Sequence, residues 1–427
     1  MNSISKPRSV LSLAQLGDAV NSAEPADAAV REKSLPQRWR LTALASAYLD
    51  GIRGLAALAV MLGHCRAFFF VDYGNINVEM ATPLVRALYM VTGFGHQAVM
   101  VFFVLSGFLI SSSIFRSYER RSWSWRTYAI DRGVRLYVVL LPGLLLGLLW
   151  DFSGIHFFNS TGIYSNPLVP FGDGIPIQSL TLVAFVGNIL FVQTRFTPVF
   201  GSNGPLWSLF NEFWYYLLFP LLVAGFSSLR RRALFTSIGF LALATLVVWI
   251  IRAQVVGFVV WLAGAAVAIS TADLKFARSR KWLLATYLAC TCAMTLACLL
   301  AARARNNPFG SDLAVGVSFA LLMHAIIQLD VPIGSLGMML AKTFSGFSYS
   351  LYVLHFPLLF IIRAAWLPKL RWQPDLAHLL CSALIGGIAI MYAYLVAKLT
   401  EAKTSSAKAF IQRKLSSASP NHSNSCS

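Results

Sequence analysis

A chain of 427 residues could hold roughly three soluble domains, yet 57% of its residues are hydrophobic, only 12% are charged and the mean hydropathy is +0.65. That balance excludes an ordinary soluble globular protein, a disordered chain, a collagen-like repeat and a small disulfide-stapled module. It leaves an all-α fold, a polytopic membrane helical bundle whose main partner is the lipid bilayer.

In chain order, residues 1–47 are polar, rich in Ser and Ala, and have no apolar stretch near Met1. They read as a disordered cytoplasmic arm without a cleavable signal, which makes the first span an uncleaved anchor. Apolar runs of about 18 to 21 residues can cross a hydrocarbon core of about 30 Å. Ten such spans are expected, at 51–71, 94–114, 133–152, 206–226, 233–251, 254–271, 282–301, 312–329, 344–364 and 376–397. The run 180–193 is shorter, is flanked by Pro/Gly/Asn-rich stretches, and reads as a re-entrant or interfacial helix. Residues 402–427 read as a disordered cytoplasmic tail.

With the N-terminus inside, the segments assigned to the cytoplasm, together with Arg135 at the mouth of the third span, hold 25 of the 35 Lys and Arg residues. This predicts cytoplasmic termini and insertion in the cell's inner (plasma) membrane. In a soluble protein the net charge of +18 would suggest nucleic acid. Here the basic residues lie in short segments between apolar runs, where they orient the spans and meet anionic lipid, so no nucleic acid is expected as a partner. The six cysteines show neither zinc nor redox spacing, and no metal is expected.

Ionisable groups inside spans are costly and usually mark function, and four clusters stand out. In the first, Asp50, Arg53 and His64 share one helix face, with His64 about 20° from Arg53 and about 40° from Asp50 at 100° per residue. His64 then lies roughly 16 Å beyond Arg53, near the middle of the bilayer, so that a charged inner mouth would lead along one face to an imidazole. Packing is the competing role for His64, and capping the helix and pairing with each other for Asp50 and Arg53. The second cluster holds Ser106 and Gly107, small residues that admit a neighbouring helix or a thin ligand. It is followed by Arg132 and Arg135, whose paired guanidinium groups suit a phosphate-bearing ligand or a positive-inside anchor. In the third, Ser208, Glu212 and Tyr216 stack on one face, and an intramembrane Glu212 needs a cationic partner or a proton. The fourth places Ser348, Tyr352 and His355 on one face beside Pro357, with His355 either catalytic or hydrogen-bonded for packing. His96, near a helix end, has a weaker claim.

Five stretches in order resemble the membrane-bound acyltransferase family 3, the O-acyltransferases of surface polysaccharides and related acceptors. They are Leu49-Asp-Gly-Ile-Arg-Gly with His64, Phe102-Phe-Val-Leu-Ser-Gly-Phe-Leu-Ile110, Arg132-x-x-Arg135, Leu206-Trp-Ser-Leu-x-x-Glu212, and Ser348-Tyr-Ser-Leu-Tyr-Val-Leu-His355-Phe-Pro. The resemblance spans Asp50 to Glu401, with Ile52 in place of the commoner Leu and Met100 where many members carry an acidic or amide residue. It resembles the free-standing type, without an appended esterase-like domain.

The resemblance implies transfer of an acyl group, most often acetyl, from cytoplasmic acetyl-CoA or another acyl-CoA to a hydroxyl of a glycan or related acceptor, with no bound cofactor. Asp50, Arg53, Arg132 and Arg135 would line the donor side. His64 would be the central catalytic residue, as base or transient acyl carrier, and Glu212 would orient it or engage the acceptor. Ser106, Ser208, Tyr352 and His355 are candidate substrate or oxyanion contacts. The alternative is a transporter or flippase, which also uses intramembrane His, Glu and Arg; it predicts an inverted repeat, and 51–226 and 233–397 share no internal similarity.

Overall fold

A computed structural model describes residues 41–165, 176–273, 281–304, 308–329, 331–366 and 371–417. Ordered strands are absent among them, and nine helices are long and apolar enough to cross a bilayer. The chain is a multi-pass membrane protein built as an all-α bundle.

Helix α1 (Ala43–Phe69) starts eight residues before the expected span, because the Thr42 hydroxyl caps it by accepting from the Ala45 N–H at 3.0 Å. Asp50 and Arg53 therefore sit inside the helix, and capping is not their role. A short α2 (Pro83–Val91) leads into α3 (Gly95–Glu119), and α4 (Trp125–Phe158) runs for 34 residues. The segment expected to be re-entrant holds α5 (Leu182–Ile189), whose eight residues span about 12 Å and cannot cross the membrane. Then come α6 (Trp207–Arg230), α7 (Leu234–Ile250), α8 (Val255–Asp273), α9 (Lys281–Ala304) and α10 (Pro308–Ile327). The 17 residues of α7 reach about 26 Å, just short of the hydrocarbon thickness, so the ten expected spans become nine and one shorter apolar helix. The chain closes with α11 (Ser335–Gly346), α12 (Ser348–Trp366), α13 (Leu376–Leu399) and α14 (Thr404–Ser417).

Disorder after Glu401 is not what the structure has over 404–417. Lys408 pairs with Asp131 at 2.7 Å, and Arg126 donates to the Leu415 carbonyl at 2.8 Å, so tertiary partners on α4 order a segment whose composition alone would not. Residues 41–47 are the cap and first turn of α1. The expected disorder of 1–40 and of 418–427 lies outside the described residues.

Helix α12 is the most enclosed of the spans, packed by α1, α4 and α13. Pro142, Pro220 and Pro357 lie inside spans and each removes a backbone donor, and in hydrocarbon a freed carbonyl is costly unless satisfied from within the protein. Pro357 frees the carbonyl of Val353, which accepts from the Asn203 side-chain amide at 2.9 Å. Pro220 frees that of Tyr216, which accepts from the Tyr128 hydroxyl at 2.9 Å. Without a hydrophobic force between apolar helices, close approach matters instead. Helices α3 and α8 meet backbone to backbone, since a Cβ on Gly107 would run into the Trp261 carbonyl and one on Gly264 into the Val104 carbonyl. Packing thus accounts for Gly107.

Gly107→Ala should destabilise the protein by about 1–3 kcal/mol, the usual cost of overpacking. Gly133→Ala, where a Cβ meets nothing within 4 Å, should not. Thermal unfolding of the two detergent-solubilised variants makes the comparison, and equal melting temperatures would contradict the close-packed seam.

Candidate active site

Two cavities lie back to back in the bundle. The first, of about 420 Å³, is lined by Arg53, Arg132, Arg135 and Lys408 at one end and by apolar residues of α3 such as Phe102 and Leu109 further in. Ser106, Ser208, Glu212 and Tyr216 also face it. The second, of about 720 Å³, is lined by His64, Arg66, His96, Trp207 and Phe356. Val99 and Tyr352 line both.

The basic cavity gathers most of the residues singled out from the sequence. Arg53 donates to Asp50 at 2.9 Å and reaches the Ser345 carbonyl at 3.5 Å. Asp50 itself does not line the cavity and acts on it through Arg53. Arg135 pairs with Glu401 at 3.2 Å and lies over the Tyr349 ring. The other Glu401 oxygen accepts from both the backbone N–H and the hydroxyl of Ser350, each at 3.0 Å. Arg132 differs from its neighbours. It lies over the Tyr128 ring, no carboxylate is paired with it among the described residues, and its Nε is buried without a protein partner, as is that of Arg53. Deeper in, Tyr216 donates to Glu212, the Ser106 hydroxyl donates to Tyr216 at 3.5 Å, and the Trp261 indole donates to Ser106 at 3.2 Å. Glu212 is thereby held by a hydroxyl rather than by a cation.

The wall between the cavities is Tyr352, whose hydroxyl is 2.7 Å from that of Ser208. Both hydroxyls reach the Pro205 carbonyl, at 3.3 and 3.1 Å, at the start of α6. The single inner passage expected from the face of α1 is therefore divided. One helix's periodicity cannot register a side chain inserted from another.

On the far side, Val60, Gly63, His64 and Ala67 line the histidine cavity from α1 at i, i+3, i+4 and i+7. His64 is half-buried, and its Nδ1 lies 2.8 Å from Nε2 of His355. His355 is fully buried and lines neither cavity; its Nδ1 lies 2.8 Å from the Leu351 carbonyl one turn back. Of the expected substrate contacts, Ser106, Ser208 and Tyr352 face a cavity, and His355 does not.

Two residues escaped the sequence reading. Glu401 lies just past the last span, where a carboxylate draws no notice. Asp151, at the end of an expected span, was detectable by the rule that picked out Glu212; it is 1% exposed and accepts from the Ser202 N–H at 2.8 Å, holding a loop that walls the histidine cavity. His96 lines the same cavity with its Nε2 at 2.9 and 3.0 Å from the two oxygens of Asp312. Among the described residues no three His, Cys, Asp or Glu side chains are grouped to hold a metal.

The sequence model of the acyltransferase domain (Acyl_transf_3) matches residues 46–396, and the chain belongs to that family. It is similar to an acyltransferase, MdmB, of Streptomyces mycarofaciens, with 32% identity over 180 residues, which are 40% of this chain and 38% of the relative. No solved structure matches it. Membership of that family favours acyl transfer over the transporter reading.

Glu401→Ala should cost about 1–3 kcal/mol, because it strands two buried donors of Ser350 as well as Arg135. The Tm of the purified protein reads this, and an unchanged Tm would remove Glu401 from the framework of the cavity.

Proposed function

We propose that the protein is an O-acyltransferase that moves an acyl group, acetyl first among them, from an acyl-CoA in the cytoplasm to a hydroxyl of a cell-surface polysaccharide or related glycan. It would sit in the inner (plasma) membrane with both termini cytoplasmic, an orientation supported by the concentration of Lys and Arg on that side. The observation that carries the reading is the pair of cavities meeting at Tyr352, with guanidinium groups at one end and an imidazole at the other.

The chemistry follows from what each cavity offers. The phosphates of coenzyme A suit Arg132 and Arg53, whose Nε atoms are buried without partners, and Lys408 beside them. The apolar lining contributed by α3 suits the pantetheine arm, and brings the thioester toward Tyr352. From the other cavity the acceptor hydroxyl approaches His64. The imidazole takes the hydroxyl proton as the oxygen bonds to the thioester carbonyl carbon. The C–S bond then breaks, and the proton passes from the imidazole to the departing thiolate. The hydroxyls of Tyr352 and Ser208 are the donors at hand for the oxyanion. Glu212 and Tyr216 face the donor cavity, so a donor-side role fits Glu212 better than orientation of His64.

His64→Ala should abolish acylation while leaving membrane insertion intact. Mass spectrometry of surface glycans from cells expressing either form checks this, and full acylation by the variant would remove His64 from the reaction. Arg132→Gln should raise KM for the acyl-CoA by about 10- to 100-fold, equivalent to one charge-assisted contact of about 1.5–3 kcal/mol. Arg135→Gln, whose guanidinium is already paired, should raise it less. The reverse order in steady-state kinetics would move the phosphate site away from Arg132.

A further inference from the structure

We propose that the histidine cavity takes an anionic acceptor, a glycan carrying a carboxylate or phosphate beside the hydroxyl to be acylated, and that Arg66 holds the anionic oxygens. Placing the acceptor in this cavity rests on the proposed function, but the anion site itself stands on charge and hydrogen bonding alone.

Among the described residues no Asp or Glu lines the cavity. Its ionisable lining is Arg66, the imidazoles of His64 and His96, and the Tyr352 hydroxyl. His96 is answered by the two oxygens of Asp312, at 2.9 and 3.0 Å. Arg66 has no such answer. Its guanidinium lies over the Tyr89 ring, 5.0 Å from the centroid, its Nε is buried without a protein partner, and no carboxylate is paired with it among the described residues. The carboxylate whose charge reaches it, Asp72, is held by both terminal nitrogens of Arg371, at 2.9 and 2.5 Å. A second guanidinium meets the same tyrosine, since Arg303 donates to the Tyr89 and Met90 carbonyls at 2.9 and 2.7 Å and packs against Gly93, which lines the cavity.

Arg66 lies in the last turn of α1, where the ordinary task of a cation is to meet the final carbonyls. Other residues perform that task here: Arg363 donates to the Phe68 carbonyl, and Arg371 reaches the Ala67 carbonyl at 3.5 Å. Arg66 faces the cavity instead. A cation left beside hydrocarbon without an opposing charge is costly, and a guanidinium with an unused Nε–H is matched in shape to two oxygens of a carboxylate or phosphate. His64 and Arg66 are two positions apart on α1, about 3 Å along its axis, and both line the cavity. An anion held by Arg66 would therefore lie on the sugar that bears the reacting hydroxyl, or on its neighbour. A neutral glycan would leave the guanidinium uncompensated, and a site built around a polar contact discriminates strongly against analogues that lack it.

The full-length protein in a polyoxyethylene detergent, which supplies neither phosphate nor sugar, allows the anion site to be read without turnover. The probes are glucuronate, its methyl ester and glucose 1-phosphate at matched ionic strength, and the readout is the rise in Tm that a ligand of the folded state produces. Glucuronate or glucose 1-phosphate should raise the Tm of the wild type and of Arg132→Gln, and the methyl ester should not. The shift should be lost in Arg66→Gln and reduced in Arg66→Lys, a variant that keeps the charge without the planar fork and serves if the Gln variant does not fold. Whichever anion acts tells a carboxylate-bearing acceptor from a phosphate-bearing one. Equal shifts from glucuronate and its ester, a shift undiminished in the Arg66 variants, or no shift at all overturns the inference. In transfer to deacylated surface glycan from cells lacking the gene, Arg66→Gln should raise KM for the glycan by about 10- to 100-fold and leave KM for the acyl-CoA within about twofold. Methyl esterification or phosphatase treatment of the glycan should remove that difference, and a glycan free of acidic groups that the wild type acylates equally well also overturns the inference. A wild type that acylates no glycan would instead sink the proposed function, and the Tm shifts would still decide the anion site.

Discussion

Hydrocarbon offers no hydrogen bonds, so a polar group inside this bundle is costly unless another part of the same chain meets it. That constraint decides which helices touch at the site. His64 on α1 is met by His355 on α12, 291 positions away. Arg135 on α4 is met by Glu401 beyond α13, and Ser106 on α3 is reached by Trp261 on α8. The backbone obeys it at Pro220 and Pro357, whose released carbonyls are taken up by Tyr128 and Asn203. Under the proposed reading, the polar groups that carry the chemistry also tie the helices to one another.

A divided interior has a chemical use. Under the proposed reading, the thioester and its acceptor lie in separate cavities and meet only at the Tyr352 partition, which keeps bulk water of either side from reaching the activated carbonyl. The partition is itself polar, with two hydroxyls 2.7 Å apart at the boundary where negative charge would develop on the carbonyl oxygen. A wall of Leu or Phe would separate the cavities as well but would leave that charge without a donor.

Much of this was legible from residue type and position within a span. His64, Glu212, Arg132 and Arg135 stand out because each is costly in hydrocarbon, and their families of neighbours follow from helical spacing. Partnership between helices was not legible. The face of α1 gave a continuous path from Arg53 to His64, and only the placement of α12 shows Tyr352 across it. The sequence leaves His355 either catalytic or hydrogen-bonded for packing, and only the placement of α1 against α12 brings His64 to one of its nitrogens while its own backbone meets the other. Helices α2 and α11 are too short and too mixed in composition to signal themselves, and α14 was hidden because Ser- and Lys-rich sequence resembles a disordered tail until Asp131 supplies a partner.

The charge balance of the basic cavity bears on how a polyanion could be held there. Asp50 answers Arg53, Glu401 answers Arg135 and Asp131 answers Lys408, so most of the positive charge is neutralised before any ligand arrives. Such pairing lowers the cost of holding several cations together in a low-dielectric setting, and it fixes their side chains in place, which reduces the ordering penalty on binding. A fully matched set would have little attraction left for phosphate. Arg132, stacked on Tyr128 with its Nε buried and no carboxylate opposite among the described residues, supplies the surplus, and the matched pairs around it serve to hold the electrostatic frame in which that surplus acts.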